Sequence, residues 1–63
     1  MFLPATPAQQ NNLEILLNDH GFSTRAQRNA WLSEEVGREI EYLDELSKAE
    51  ASMLISRLKE EED

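Results

Sequence analysis

Three times in this chain a serine or threonine stands three residues before a glutamine or glutamate: Thr6 before Gln9, Thr24 before Gln27, and Ser47 before Glu50. That is the spacing of a capping box. The hydroxyl accepts from the backbone N–H three residues on, and the longer side chain reaches back to the N–H of the cap residue. Each pair therefore predicts the start of a helix. Pro7 reinforces the first start, because a proline at the first helical position loses no hydrogen bond. Ser23 is an alternative N-cap for the second helix.

The two glycines are placed to stop what these caps start. Gly21 follows the first apolar run and Gly37 the second, and glycine enters the left-handed region that ends a helix without a Cβ penalty. Phe22, just past Gly21, is placed to fold back on the last turn. The helices so bounded run from Pro7 to the stop at Gly21, from Arg25 to Glu35, and from Lys48 to Glu60.

Apolar periodicity agrees with these bounds. Leu13, Leu16, Leu17 and His20 recur at i, i+3, i+4 and i+7, and Ala51, Leu54, Ile55 and Leu58 form a similar stripe on the third helix. On the second helix the apolar positions are Ala26, Ala30, Trp31 and Val36, with Leu32 beside them; with Ala26, Ala30 and Val36 facing the core, Trp31 sits about 100° away at the boundary of that face, as either a core residue or a binding anchor. The stretch "REIEYLDEL" reads as an extended connection with one helical turn, anchored by Ile40, Tyr42, Leu43 and Leu46. The fold class is all-α: a compact three-helix domain over residues 6–60, with an irregular connection between helices 2 and 3. Residues 1–5 read as an N-terminal arm and 61–63 as an acidic tail.

Size and charge narrow the function. A chain of 63 residues buries only about 60% of the surface that its unfolded form exposes, which leaves little room for a deep catalytic cleft. There is no cysteine to form a disulfide or a thiolate metal site. Thirteen acidic against six basic residues give a formal charge of −7, which opposes phosphate backbones and anionic lipid, so direct nucleic-acid binding is not expected. No apolar run approaches the roughly 18 residues of a membrane span, and the expected location is cytoplasmic.

Enzyme signatures are absent. A nucleophilic triad needs an imidazole beside a hydroxyl or thiol, and the one histidine, His20, reads as a C-cap of the first helix. Glu34 and Glu35 are adjacent and diverge on a helix, with no apolar pocket to separate their pKa values. The terminal acids lack the spacing of a calcium loop. Neither catalysis nor a cofactor nor a metal is expected.

What remains is a surface of uneven charge. Glu34, Glu35, Glu39, Glu41, Asp44 and Glu45 crowd one segment against Arg38, whereas Arg25 and Arg28 share an edge at the start of the second helix. Arginine suits bidentate recognition of carboxylates, while tryptophan and tyrosine commonly anchor interfaces. The candidate partner-binding residues are Arg25, Arg28, Trp31, Glu34, Glu35 and Tyr42.

The segments "TPAQQNNLEILLNDHGF", "RNAWLSEEVGREI" and "LSKAEASMLISRL" together resemble a short helical module seen in phage and actinobacterial proteins. These include C-terminal tails of recombination and replication proteins of the single-strand-annealing kind, and small domains of unknown function. The resemblance runs from Thr6 to Leu58 and rests largely on caps, stops and core positions. It implies an accessory module that docks a protein, without the much larger annealing core of such proteins. Two functions follow as expectations: a docking module for a replication or recombination partner, or an acidic inhibitor that mimics nucleic acid toward a host DNA-binding or defence protein.

Overall fold

A computed structural model describes residues 1–60 of the chain, so the expected acidic tail at 61–63 lies outside the described residues. All three capping boxes form. Thr6 Oγ1 accepts from the Gln9 N–H at 3.1 Å and Gln9 Oε1 accepts from the Thr6 N–H at 3.0 Å, opening α1 (Pro7–Asp19). Thr24 and Gln27 do the same at 3.1 and 3.3 Å for α2 (Arg25–Val36). Ser23 lies before that cap and donates its N–H to Gln27 Oε1 at 3.1 Å. Ser47 and Glu50, at 3.1 and 2.9 Å, open α3 (Lys48–Glu60).

The stops also form. Gly21 adopts φ 92°, its N–H donates to the Asn18 carbonyl at 3.0 Å, and the Phe22 N–H donates to the Leu17 carbonyl at 2.9 Å. That pair of bonds is a Schellman motif, with Phe22 folded against the core beside the last turn. Gly37 ends α2 by the simpler route, a single bond from its N–H to the Ser33 carbonyl at 3.0 Å with φ 75°.

Two long-range bonds orient the helices. The Gln9 carboxamide donates to the Lys48 carbonyl at 3.3 Å, and His20 Nε2 donates to the Leu58 carbonyl at 2.8 Å. First turn therefore meets first turn and last meets last, so α1 and α3 run parallel. His20 is the C-cap residue of α1, and its ring also bonds the Leu58 carbonyl of α3. The end of α2 lies against α3, held by Glu35 to Arg57 at 2.8 Å and by Arg38 to Glu50. Glu50 and Arg57 are seven residues apart, on one face of α3. A connection over 37–47, with one 3₁₀ turn at Leu43–Glu45, carries the chain to the start of α3.

The N-terminal arm is tied down. The Ala5 N–H donates to the Leu46 carbonyl and the Lys48 N–H to the Leu3 carbonyl, both at 2.8 Å, around an antiparallel bridge between Pro4 and Ser47. Leu3 thereby occupies an N–H that the first turn of α3 would otherwise leave open, and Ala5 is buried.

Leu13 and Leu17 of α1, Leu32 of α2, Ile40 and Leu46 of the connection, and Leu54 and Leu58 of α3 form the fully buried centre. Ile55 packs at its margin. The α2 face differs from expectation: Ala26 and Ala30 are exposed, and Leu32 is the buried residue of that helix. Turning Leu32 inward buries far more apolar surface than turning two alanine methyls inward, and Trp31 and Val36 still pack on the flanks. Tyr42 is not an anchor of the connection; it is 56% exposed, while Ile40 and Leu46 hold that segment. Among the described residues no helix is long and apolar enough to cross a membrane.

Candidate functional site

The first turns of α2, the middle of α1 and the 3₁₀ turn enclose an open cleft of about 430 Å³. Arg25, Arg28 and Asn29 line it from α2, because positions three and four apart share a helix face. Gln10 and Glu14 line it from α1 by the same rule, and Glu41, Tyr42 and Asp44 from the connection. The Asn29 carboxamide donates to the Glu41 carbonyl at 2.9 Å and so fastens the connection to α2. This fastening places the Tyr42 ring beneath the Arg25 guanidinium, 4.7 Å from the ring centroid. The contact has cation–π geometry.

Arg28 is steadied differently, by donating Nη1–H to the Ser23 carbonyl at 3.3 Å. Among the described residues neither Arg25 nor Arg28 is ion-paired with a carboxylate, although Arg38 and Arg57 both are. Arg25 and Arg28 are the first and fourth residues of α2, whose first turn contains no acidic residue to neutralise the positive end of the helix dipole. The cleft thus holds two oriented cations whose remaining N–H groups are available to a carboxylate.

The structure brings together three of the six candidate residues, Arg25, Arg28 and Tyr42. The others stand elsewhere. Trp31 packs on the core beside Phe22, with ring centroids 6.0 Å apart and planes inclined by 43°. Glu35 is the partner of Arg57, and Glu34 is exposed on the opposite side of the helix turn from Leu32. Gln10, Glu14, Asn29, Glu41, Leu43 and Asp44 also line the cleft and were not among the candidates. Asn29 is four residues from Arg25, a spacing visible in the sequence, but the α1 side of the cleft depends on tertiary packing.

Several acids serve the fold. The Arg38 guanidinium and then the Ser47 N–H hold the Glu50 carboxyl down to about 2. Glu45 is lowered chiefly by the N–H groups of Tyr42 and Glu41, which its Oε2 accepts at 2.7 and 2.8 Å. Among the described residues no group of three or more His, Asp or Glu side chains could hold a metal ion.

No protein-family model matches the chain, and neither the curated proteins nor the solved structures show a significant match to it. The fold and cleft describe a small all-α domain with a polar, arginine-bearing groove.

Proposed function

We propose that this domain is a non-catalytic docking module of a phage or bacterial DNA recombination or replication system, working in the cytoplasm. Its cleft receives a short segment of a protein partner. The observation that carries this reading is the pair Arg25 and Arg28: both line one cleft, both are held by neutral partners, and neither is ion-paired among the described residues. Unpaired but oriented guanidinium groups offer bidentate bonds to a carboxylate at reduced ordering cost. The place of the module in DNA metabolism rests on the resemblance described above.

The mimic reading has less behind it. Glu35, Glu45 and Glu50 are engaged by Arg57, by backbone N–H groups and by Arg38, which removes them from a phosphate-like array. Affinity capture from a bacterial host lysate, with wild type and the Arg25→Glu/Arg28→Glu double variant as baits, separates the two. A replication or recombination protein held by wild type and lost by the variant is the expected result. A basic nucleic-acid-binding protein held equally by both baits, and lost on Glu34→Lys/Glu39→Lys, would replace docking with mimicry.

A further inference from the structure

The cleft is not uniformly basic. Glu14, Glu41 and Asp44 line it along with Arg25 and Arg28, and none of these acids is ion-paired with either arginine. A uniformly acidic segment would gain at the arginines and lose at the rim, because like charges placed together are unfavourable. We infer that the partner segment is a mixed-charge peptide, with one acidic residue seated between Arg25 and Arg28 and basic residues beside it that meet Glu14 and Asp44. This inference rests on the docking reading and specifies the chemistry of its ligand.

The geometry sets the division of roles. Arg25 is held in the cleft with its guanidinium carbon over the Tyr42 ring, 4.7 Å from the centroid, and a guanidinium can bind a carboxylate with two parallel N–H bonds. Glu14 approaches from α1 and Asp44 from the 3₁₀ turn, on walls of the cleft other than the one that carries both arginines. A bound carboxylate on the α2 wall therefore leaves its sequence neighbours facing acids. The volume of about 430 Å³ lies at the small end of the roughly 300–1,000 Å³ typical of ligand clefts, which suits a few residues and not a folded surface. The rim acids also reject a purely acidic competitor, including nucleic acid, so they add selectivity where two arginines alone would not.

The test is a ¹⁵N NMR titration of the full chain at constant ionic strength with three end-capped tripeptides, Lys-Glu-Lys, Glu-Glu-Glu and Lys-Lys-Lys. Lys-Glu-Lys should perturb the Arg25 and Arg28 side-chain N–H signals and the Tyr42 amide, and should bind about fourfold more tightly than Glu-Glu-Glu, two exposed pairs contributing roughly twofold each. In Glu14→Gln/Asp44→Asn, two exposed positions, that preference should fall to near unity while the arginine signals still respond. Equal or tighter binding of Glu-Glu-Glu at the same residues overturns the mixed-charge assignment and leaves docking of an acidic segment in place. If none of the tripeptides moves the cleft signals, both readings fall. Binding of Lys-Lys-Lys as tight as that of Lys-Glu-Lys makes the rim acids the binding surface, and also overturns the assignment.

Discussion

Arg38 and Glu50 form a two-pronged pair, Nη2 to Oε1 at 2.8 Å and Nη1 to Oε2, on the same carboxylate that closes the capping box of α3. Arg38 Nη2 also donates to the Glu45 carbonyl at 2.9 Å. One glutamate thus starts a helix and secures the connection that leads into it. In the sequence Arg38 stands amid acids. In the fold it ties the exit of α2, the 3₁₀ turn and the first turn of α3 together.

The pair makes stability sensitive to acid. Glu50 titrates at about 2 in the fold against 4.5 for a free side chain. A depressed carboxylate contributes stability that is complete above pH 4.5 and is lost as the pH falls from 4.5 toward 2. Glu45 is shifted in the same direction. The pair is partly exposed, so the contribution of Glu50 is about 1 to 2 kcal/mol and not its full coulombic value. Thermal midpoints should hold steady between pH 7 and pH 5 and decline below pH 4.5, and Glu50→Gln should flatten most of that decline. An equally steep decline in Glu50→Gln would place the acid sensitivity in other carboxylates.

Ser47 and Arg38 should be coupled through Glu50. Ser47→Ala alone should cost about 1 kcal/mol as a lost N-cap. Because both residues bond the Glu50 carboxylate or depend on its position, Ser47→Ala and Arg38→Ala should be non-additive by about 0.5 kcal/mol or more in a urea double-mutant cycle. Strict additivity would mean that the cap and the ion pair act independently.

The inward face of α2 is tested by contrasting two neighbours. Leu32→Ala should cost about 2 to 4 kcal/mol, as should Leu54→Ala, since both empty a fully buried site. Ala30→Ser, on the exposed face, should change stability by no more than about 0.5 kcal/mol. Comparable losses at positions 30 and 32 would restore the alanine face as the buried one.

Gly37→Ala should cost about 1 kcal/mol. Its Cβ would meet nothing within 4 Å, so the loss comes from the left-handed backbone at φ 75° and not from a clash. Denaturation should show a lower midpoint with an unchanged m-value. An unaltered midpoint would mean that the αL stop is not needed to end α2.

Tyr42 should affect binding and not folding. Tyr42→Phe keeps an aromatic face under Arg25, whereas Tyr42→Ala removes it. The alanine variant should bind Lys-Glu-Lys roughly two- to fivefold more weakly, in line with an exposed cation–π contact of about 0.5 to 1 kcal/mol. Its thermal midpoint should stay near that of wild type, because the side chain is 56% exposed. Weakening of Tyr42→Phe to the same extent would assign the role to the hydroxyl.

What the sequence determined by itself is the set of elements joined by short-range bonds. The pairs Thr6 with Gln9, Thr24 with Gln27, and Ser47 with Glu50 each act over three residues. Gly21 and Gly37 act within one turn, so neither the boxes nor the stops required knowledge of any other helix. The stripes of α1 and α3 were equally legible, since large side chains repeat there at helical spacing. On α2 the same reading gave weight to two alanines over one leucine, because periodicity counts positions and burial depends on area. The rest was decided by tertiary structure. The arm bonded across Leu46 and Lys48, His20 reaching Leu58, and Arg38 and Arg57 choosing Glu50 and Glu35 all join residues far apart in the chain. The cleft belongs to this second kind. Arg25 and Arg28 were visible as a basic edge, but only the connection, pinned by Asn29 to the Glu41 carbonyl, brings Tyr42 under Arg25, and only the packing of α1 adds Glu14 to the same wall-lined space. Bonds within one turn follow from local spacing, whereas a site assembled from three segments depends on where a shared core lets them meet.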